Sequence, residues 1–522
     1  ADALDSKFKS KGIKIAAGIS TLIVSVFYLI PQMVGAGSLV TPLLGWPHWL
    51  GVILVGAVVI FIVATAGMAS TTYVQFLKGA LLIVFSLVLV ILVLNKGLFT
   101  SKYETLGVET ATPDGVTLSD TAYTVENEWT VGNKRFIAVQ ASDGTKSIWS
   151  LNEEKGLLEE TLTVTNMADG TVLYNGAPQA EGKFHQVGNL TDIQGVEDTQ
   201  TGAIGPFEFL GKISESTVVR WDKVIVADND NKITIYYQHP TSGVEVLQPG
   251  QKFPLTSTRN KLDFISLMLA LFFGTAALPH ILIRYYTVKN PAAARKSTII
   301  AILSIGFFYI LTLFLGFGSM TNGALDLTNS NMAAPLLAKN FSVAIFAIIS
   351  AIAFATVLGT VSGLLIASSG AVVHDLVGSR KSWTISDKAQ VSIGKIAAIA
   401  VGCIAIVLGI LFKNLNVSFL VGWAFAVAAS ANLPAILMVL FWKKTSAKGV
   451  IASIIVGLVS AMVIILLSQS TYNDVYQLVG VKAPMPIDNP AIISVPLSFL
   501  TIIIVSLLTK KKEDAAKALK SE

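Results

Sequence analysis

The stretch Leu267-Met268-Leu269-Ala270-Leu271-Phe272-Phe273-Gly274-Thr275-Ala276-Ala277-Leu278-Pro279-His280 decides the fold. It lies in an apolar run over residues 262–283, long enough to cross a hydrocarbon layer of about 30 Å as a helix. Pro279 has no N–H for the carbonyl of Thr275 four residues earlier, so the spacing predicts a membrane helix that breaks at Leu278-Pro279. A helix that only anchors a chain needs no break, because unpaired backbone groups are costly where water is absent. In transporters a break frees N–H and C=O groups to hold the anionic part of a solute and a cation. A proline kink that only shapes packing carries the same signature. His280 and Arg284 follow one turn apart, and Arg284 reads as an interfacial anchor or as a substrate clamp.

Nine similar runs flank this one, at 15–40, 49–67, 73–95, 298–319, 341–373, 390–412, 417–441, 448–468 and 490–509. The 522 residues are 53% apolar and only 14% charged, with a mean hydropathy of +0.66. Soluble domains carry about 25% charged residues. Composition therefore excludes an ordinary cytosolic enzyme and predicts an all-α polytopic membrane protein. The single cysteine, Cys403, lies in an apolar run, which excludes a disulfide framework and a cysteine zinc site.

Charge divides the chain in two. Residues 99–260 hold 12 Lys/Arg against 22 Asp/Glu, a balance of −10, and the remainder holds 26 against 11, or +15. Alternating sides along the ten runs collects 21 of those 26 basic residues on one face. By the positive-inside rule both termini are cytoplasmic and the acidic segment faces outward, in a multi-pass cell-membrane protein. The basic residues are topological and imply no nucleic acid. Thr217-Val218-Val219-Arg220-Trp221 and Ile233-Thr234-Ile235-Tyr236-Tyr237, with Asp114-Gly115, Asp143-Gly144 and Asp169-Gly170 as hairpin signals, predict an extracytoplasmic β-rich insert. The expected division is 1–97 (three membrane helices), 98–260 (insert), 261–441 (five helices) and 442–522 (two accessory helices and a basic tail).

Polar residues inside the apolar runs mark the places where chemistry is expected. In 341–373, Thr356, Gly359, Thr360, Ser362, Gly363, Ser368, Ser369 and Gly370 are expected to interrupt the helix. Thr356 and Thr360 share a face, and their hydroxyls suit a hard monovalent cation, or else small-residue helix packing. Asn432, near Pro434, is placed to pair with freed backbone, and Gln32 to line a cavity beside Tyr28 and Pro31. None of the 11 acids outside the insert lies at mid-membrane, so any coupling ion must be held by neutral oxygens. No nucleophile, base and orienter occur together, and no enzyme is expected.

These stretches closely resemble the bacterial cation/acetate symporters, a branch of the sodium:solute symporter family. The matching runs are Phe27-Tyr28-Leu29-Ile30-Pro31-Gln32-Met33-Val34-Gly35-Ala36-Gly37, Gly274-Thr275-Ala276-Ala277-Leu278-Pro279-His280, Arg284 with Tyr286-Thr287-Val288, Ala294-Arg295-Lys296-Ser297, Asn331-Met332-Ala333-Ala334, Ala353-Phe354-Ala355-Thr356, His374-Asp375-Leu376 and Val421-Gly422-Trp423-Ala424-Phe425-Ala426. They cover residues 1–97 and 262–510 and leave the insert unmatched.

The resemblance implies a leucine-transporter-type inverted repeat, here incomplete at the N-terminus, with core helices one and two missing. It places the helix-eight carbonyl of a sodium site at Thr356 and its hydroxyls at Gly359 and Thr360, so one hydroxyl is absent. Tyr73-Val74-Gln75 stands where many relatives carry Trp-Thr-Asp, which leaves a second, carboxylate-dependent ion site unsupported.

The implied function is secondary active uptake of a small monocarboxylate such as acetate, coupled to a monovalent cation, sodium or a proton, with no organic cofactor. Backbone groups of Gly274, Thr275 and Ala276 are expected at the substrate anion, Gln32 and Trp423 as cavity wall, and Thr356 and Thr360 as sodium ligands in an incomplete site. Propionate, pyruvate, proline or pantothenate are alternative cargoes. A non-transporting sensor, or one subunit of a split transporter whose small membrane partner supplies the missing helices, is the rival reading.

Overall fold

The computed structural model describes residues 2–65, 69–112, 115–228, 230–249, 253–282, 285, 288–378, 386–478 and 480–518. Asp114, Arg284, Tyr286, Thr287, Arg380 and Lys381 lie outside the described residues. Ten helices among the described residues are long and apolar enough to cross a membrane. We number the helices used below α1 (Lys11–Leu44), α2 (His48–Thr65), α3 (Ala69–Lys96), α4 (Pro206–Ser214), α5 (Thr258–Thr275), α6 (Pro279–Leu282), α7 (Pro291–Thr321), α8 (Ala333–Phe341), α9 (Val343–Gly370), α10 (Asp387–Leu411), α11 (Val417–Phe441), α12 (Ala447–Leu466) and α13 (Ala491–Ala518). The chain is a polytopic membrane protein with a β-rich region.

Two compact units form. One comprises Ala1–Val84, Gln251–Phe307 and Ala347–Glu522, and the other Phe85–Gly250 and Phe308–Phe346. The first is helical and is built around α11, most of whose residues are buried. Its side chains Phe419, Trp423, Val427 and Ala431 join Val24, Ile30 and Val34 of α1 and Leu458 and Ile465 of α12 in one apolar cluster. A helix apolar on all sides is buried by other helices rather than by one core face.

The second unit holds a ten-stranded antiparallel sheet between α3 and α7 in sequence. The two β-branched runs read above land on adjacent strands, with Val226 opposite Ile233 and Trp221 opposite Gln238. Asp143 and Asp169 each accept the N–H of the Thr two residues on, at 2.8 Å. Gly144 and Gly170 take φ of 83° and 87°, a conformation open to glycine without strain. Apolar side chains such as Phe136, Val226, Ile233 and Ile235 fill the interior.

One helix departs from its expected form. Residues 341–373 are not interrupted at their hydroxyls and glycines: α9 runs unbroken from Val343 to Gly370 and continues through a π-helical turn, Ala371–Val377. The cause is local. Thr356, Thr360, Ser362 and Ser368 donate to the carbonyls of Ile352, Thr356, Leu358 and Leu364, each four residues back, at 2.8–3.1 Å. Hydroxyls that bond back onto their own helix satisfy themselves without displacing the ladder.

Candidate substrate and ion site

The helix around Pro279 breaks where the proline demands it. α5 ends at Thr275 and α6 begins at Pro279, with Ala276–Leu278 outside both. The N–H of Ala277 turns back to Gly274 O at 2.9 Å, and the N–H groups of Ile281 and Leu282 restart the ladder on Leu278 O at 3.1 Å. The side chains of Ala277 and Leu278 are buried in the cluster around α11, whereas Thr275 and Ala276 are exposed. The break thus has a packed inner side and an accessible outer side.

Asn432 holds the inner side. Its side-chain N–H₂ donates to the Ala277 carbonyl at 3.1 Å, and its Oδ1 accepts the Ser20 hydroxyl of α1 at 2.7 Å. Asn432 and Ser20 are both buried. A buried acceptor left without a donor costs about 1–3 kcal/mol, so this bridge is what makes the interruption affordable. The freed backbone that Asn432 reaches is that of α5–α6, not that of its own helix.

Tyr28 of α1 stacks with two rings, His280 at 5.1 Å and Phe425 of α11 at 5.7 Å. Gln32, one turn further along α1, is half-buried, and its amide makes no hydrogen bond among the described residues. Tyr28 and Gln32 therefore share a face. The tyrosine also packs against the apolar cluster lined by Phe354, Val357 and Leu358 of α9.

Gly274, Thr275 and Trp423 are also tied to their neighbours. A Cβ on Gly274 would come within 2.5 Å of the Phe425 carbonyl, so this glycine lets α5 and α11 approach closely. Thr275 spends its hydroxyl proton on Leu271 O at 2.7 Å. Trp423 is 1% exposed, lies 4.9 Å from the Phe419 ring, and donates its indole N–H to Asp488 O at 2.9 Å. A small cavity of about 100 Å³ borders that region, lined by Phe253, Asn260, Asp263, Phe419, Asp474 and Asp488. Asp263 accepts the backbone N–H groups of Asp488 and Asn489 at 2.8 and 2.7 Å, and the Asn489 amide at 2.8 Å. It ties the start of α5 to the segment leading into α13.

On α9, Thr356 and Thr360 are half-buried and linked through Thr360 Oγ1 to Thr356 O at 3.1 Å. The neighbouring carbonyl, that of Ala355, accepts the ammonium of Lys78 from α3 at 2.9 Å. The charge arithmetic counted Lys78 as one more cytoplasmic-side cation. A lysine within the apolar run 73–95 was the signal that marked it, since charge inside a membrane span is functional by default. Among the described residues no three His, Cys, Asp or Glu side chains gather as a metal site.

The model of the sodium:solute symporter family matches residues 1–134 and 225–457. The chain is 34% identical to a monocarboxylic acid transporter of Corynebacterium glutamicum, over 98% of this chain and 73% of the relative. It is 31% identical to an uncharacterized symporter, YwcA, of Bacillus subtilis, over 98% and 75%. The family model leaves residues 135–224 of the insert unmatched, as expected, whereas the two relatives match through the β-rich region. With the family model covering both flanks of the sheet and two relatives named as transporters matched over 98% of this chain, the chain belongs to the sodium:solute symporter family, as a multi-pass membrane transporter and not an enzyme.

Proposed function

We propose that this transporter carries a small monocarboxylate of the acetate class into the cell together with a monovalent cation, sodium or a proton. The observation that carries this reading is the interruption of the helix at Ala276–Leu278, held open by Asn432 within a membrane-spanning unit. Its accessible side, Thr275 and Ala276, offers backbone dipoles for a carboxylate. The named activity of the Corynebacterium relative favours a monocarboxylate as the solute. Tyr28 and Gln32 form the facing wall, and the α9 turn at Thr356 and Thr360 is the cation side. The charge asymmetry favours cytoplasmic termini and an external β-rich region.

Proteoliposomes holding the full chain take up labelled acetate, with uptake rising under an inward sodium or proton gradient. Uptake indifferent to both gradients overturns the symport reading. A competition panel of propionate, pyruvate, proline and pantothenate ranks the cargo.

A further inference from the structure

The contact between Lys78 and α9 is left unused by the transport reading. A lysine near the end of a membrane span ordinarily extends its stem so that the ammonium reaches the polar interface. Lys78 does otherwise: its Nζ lies 2.9 Å from the main-chain oxygen of Ala355 on α9. That oxygen lies 12 residues into α9, about 18 Å along the axis at 1.5 Å per residue. Lys78 takes part in none of the ion pairs among the described residues. The positive charge is thus placed on a neutral helix carbonyl.

The turn that receives it is the one read above as the cation side. Ala355 and Thr356 present consecutive carbonyls, and the Thr356 and Thr360 hydroxyls donate their protons to Ile352 and Thr356 carbonyls. Each hydroxyl oxygen keeps lone pairs for a cation. Gly359, between them, adds no side-chain oxygen. A lysine ammonium is a compact, hard point charge with three donors, close in its demands to a small monovalent cation. Two unit positive charges a few ångströms apart in this setting repel by far more than thermal energy. The turn accommodates one of them.

We propose that the Lys78 ammonium is the resident monovalent cation of the α9 turn Ala355–Thr360, standing where a coupling sodium ion would bind, and that it makes this transporter's uptake independent of sodium. Lys78 is then the residue that sets ion selectivity. The proposal rests on the transport reading for its uptake arm only, because sodium binding can be read on the protein alone.

The test compares the full-length wild type with Lys78→Met and Lys78→Gln, two neutral replacements of which either suffices. Thermal unfolding is followed by tryptophan fluorescence in sodium chloride and in choline chloride of equal ionic strength. The wild-type midpoint is expected to be the same in both salts, and the neutral variants to gain a saturable, sodium-specific rise of about 3 °C or more, as a ligand that binds only the folded state requires. In proteoliposomes, wild-type uptake of labelled acetate changes less than about twofold when choline replaces sodium on both sides. A sodium-specific rise in the wild type, or its absence from both neutral variants, overturns the proposal. Acetate uptake that fails under every gradient removes the transport reading while the unfolding comparison still decides the role of Lys78.

Discussion

The α5–α6 region and α9 were both expected to be interrupted membrane helices, and only the first is. At Ala276–Leu278 a proline deletes a backbone donor, and no rotation of a neighbouring side chain can restore it within the same helix. In α9 the suspects were hydroxyls and glycines. Thr356, Thr360, Ser362 and Ser368 fold back onto carbonyls four residues earlier, Ser369 donates to Gly394 O of α10, and the ladder stays whole. A missing donor breaks a helix where a surplus donor does not.

Proline alone is still not sufficient. α11 contains Pro434 and stays continuous from Val417 to Phe441. The carbonyl that Pro434 leaves without its ladder partner is that of Ser430, and Gly457 of α12 is packed directly against it, with no room for a Cβ. At the α5–α6 break the freed oxygen of Ala277 instead meets an amide donor from Asn432. Ala277 O is free because its ladder donor, Ile281 N–H, has turned to Leu278 O, so the two helices differ in what their neighbours place beside the exposed carbonyl: a glycine at Ser430, an amide at Ala277.

This comparison can be broken at three points. The largest effect is expected for Asn432→Leu, which leaves the Ala277 carbonyl and the Ser20 hydroxyl without their partner. Stability should fall by about 3 kcal/mol, with acetate uptake reduced at least tenfold as the break closes or misfolds. Unfolding midpoints and proteoliposome uptake measure both, and a variant with wild-type uptake would show that the bridge does not hold the site.

Gly457→Ala comes next. Its new methyl collides with the Ser430 carbonyl, and overpacking of this kind costs about 1–3 kcal/mol. A lowered midpoint is expected, and unchanged stability would mean that α11 and α12 separate freely there. The smallest effect is expected for Thr360→Val. The Thr356 carbonyl loses only the extra bond from the Thr360 hydroxyl, so the change should stay within about 0.5 kcal/mol and leave helical content by circular dichroism unaltered. A helix-content loss there would show that the back-bonded hydroxyls do hold α9 together.

The helix break was legible in the residues because it depends on covalent facts. Pro279 lacks an N–H wherever it is placed, and the break follows. Asn432 was recognised as a partner for freed backbone, but which backbone could not be read, since Asn432 and Ala277 are 155 residues apart. Gly274 and Trp423 carry the family motifs, yet one admits the Phe425 backbone and the other locks onto Asp488 O. Neither contact could be read along the chain, because Gly274 and Phe425, and Trp423 and Asp488, are brought together only by packing.

From the sequence alone came the ten spans, the β-rich segment, the place of the break and the family, because apolar length, alternation and missing donors are properties of neighbours along the chain. The tertiary structure alone decided that α9 is continuous, that Tyr28 stacks with His280 and Phe425, and that the Lys78 ammonium rests on Ala355 O. Those are contacts between helices far apart in sequence, and no local pattern specifies which carbonyl a side chain will reach once the helices pack.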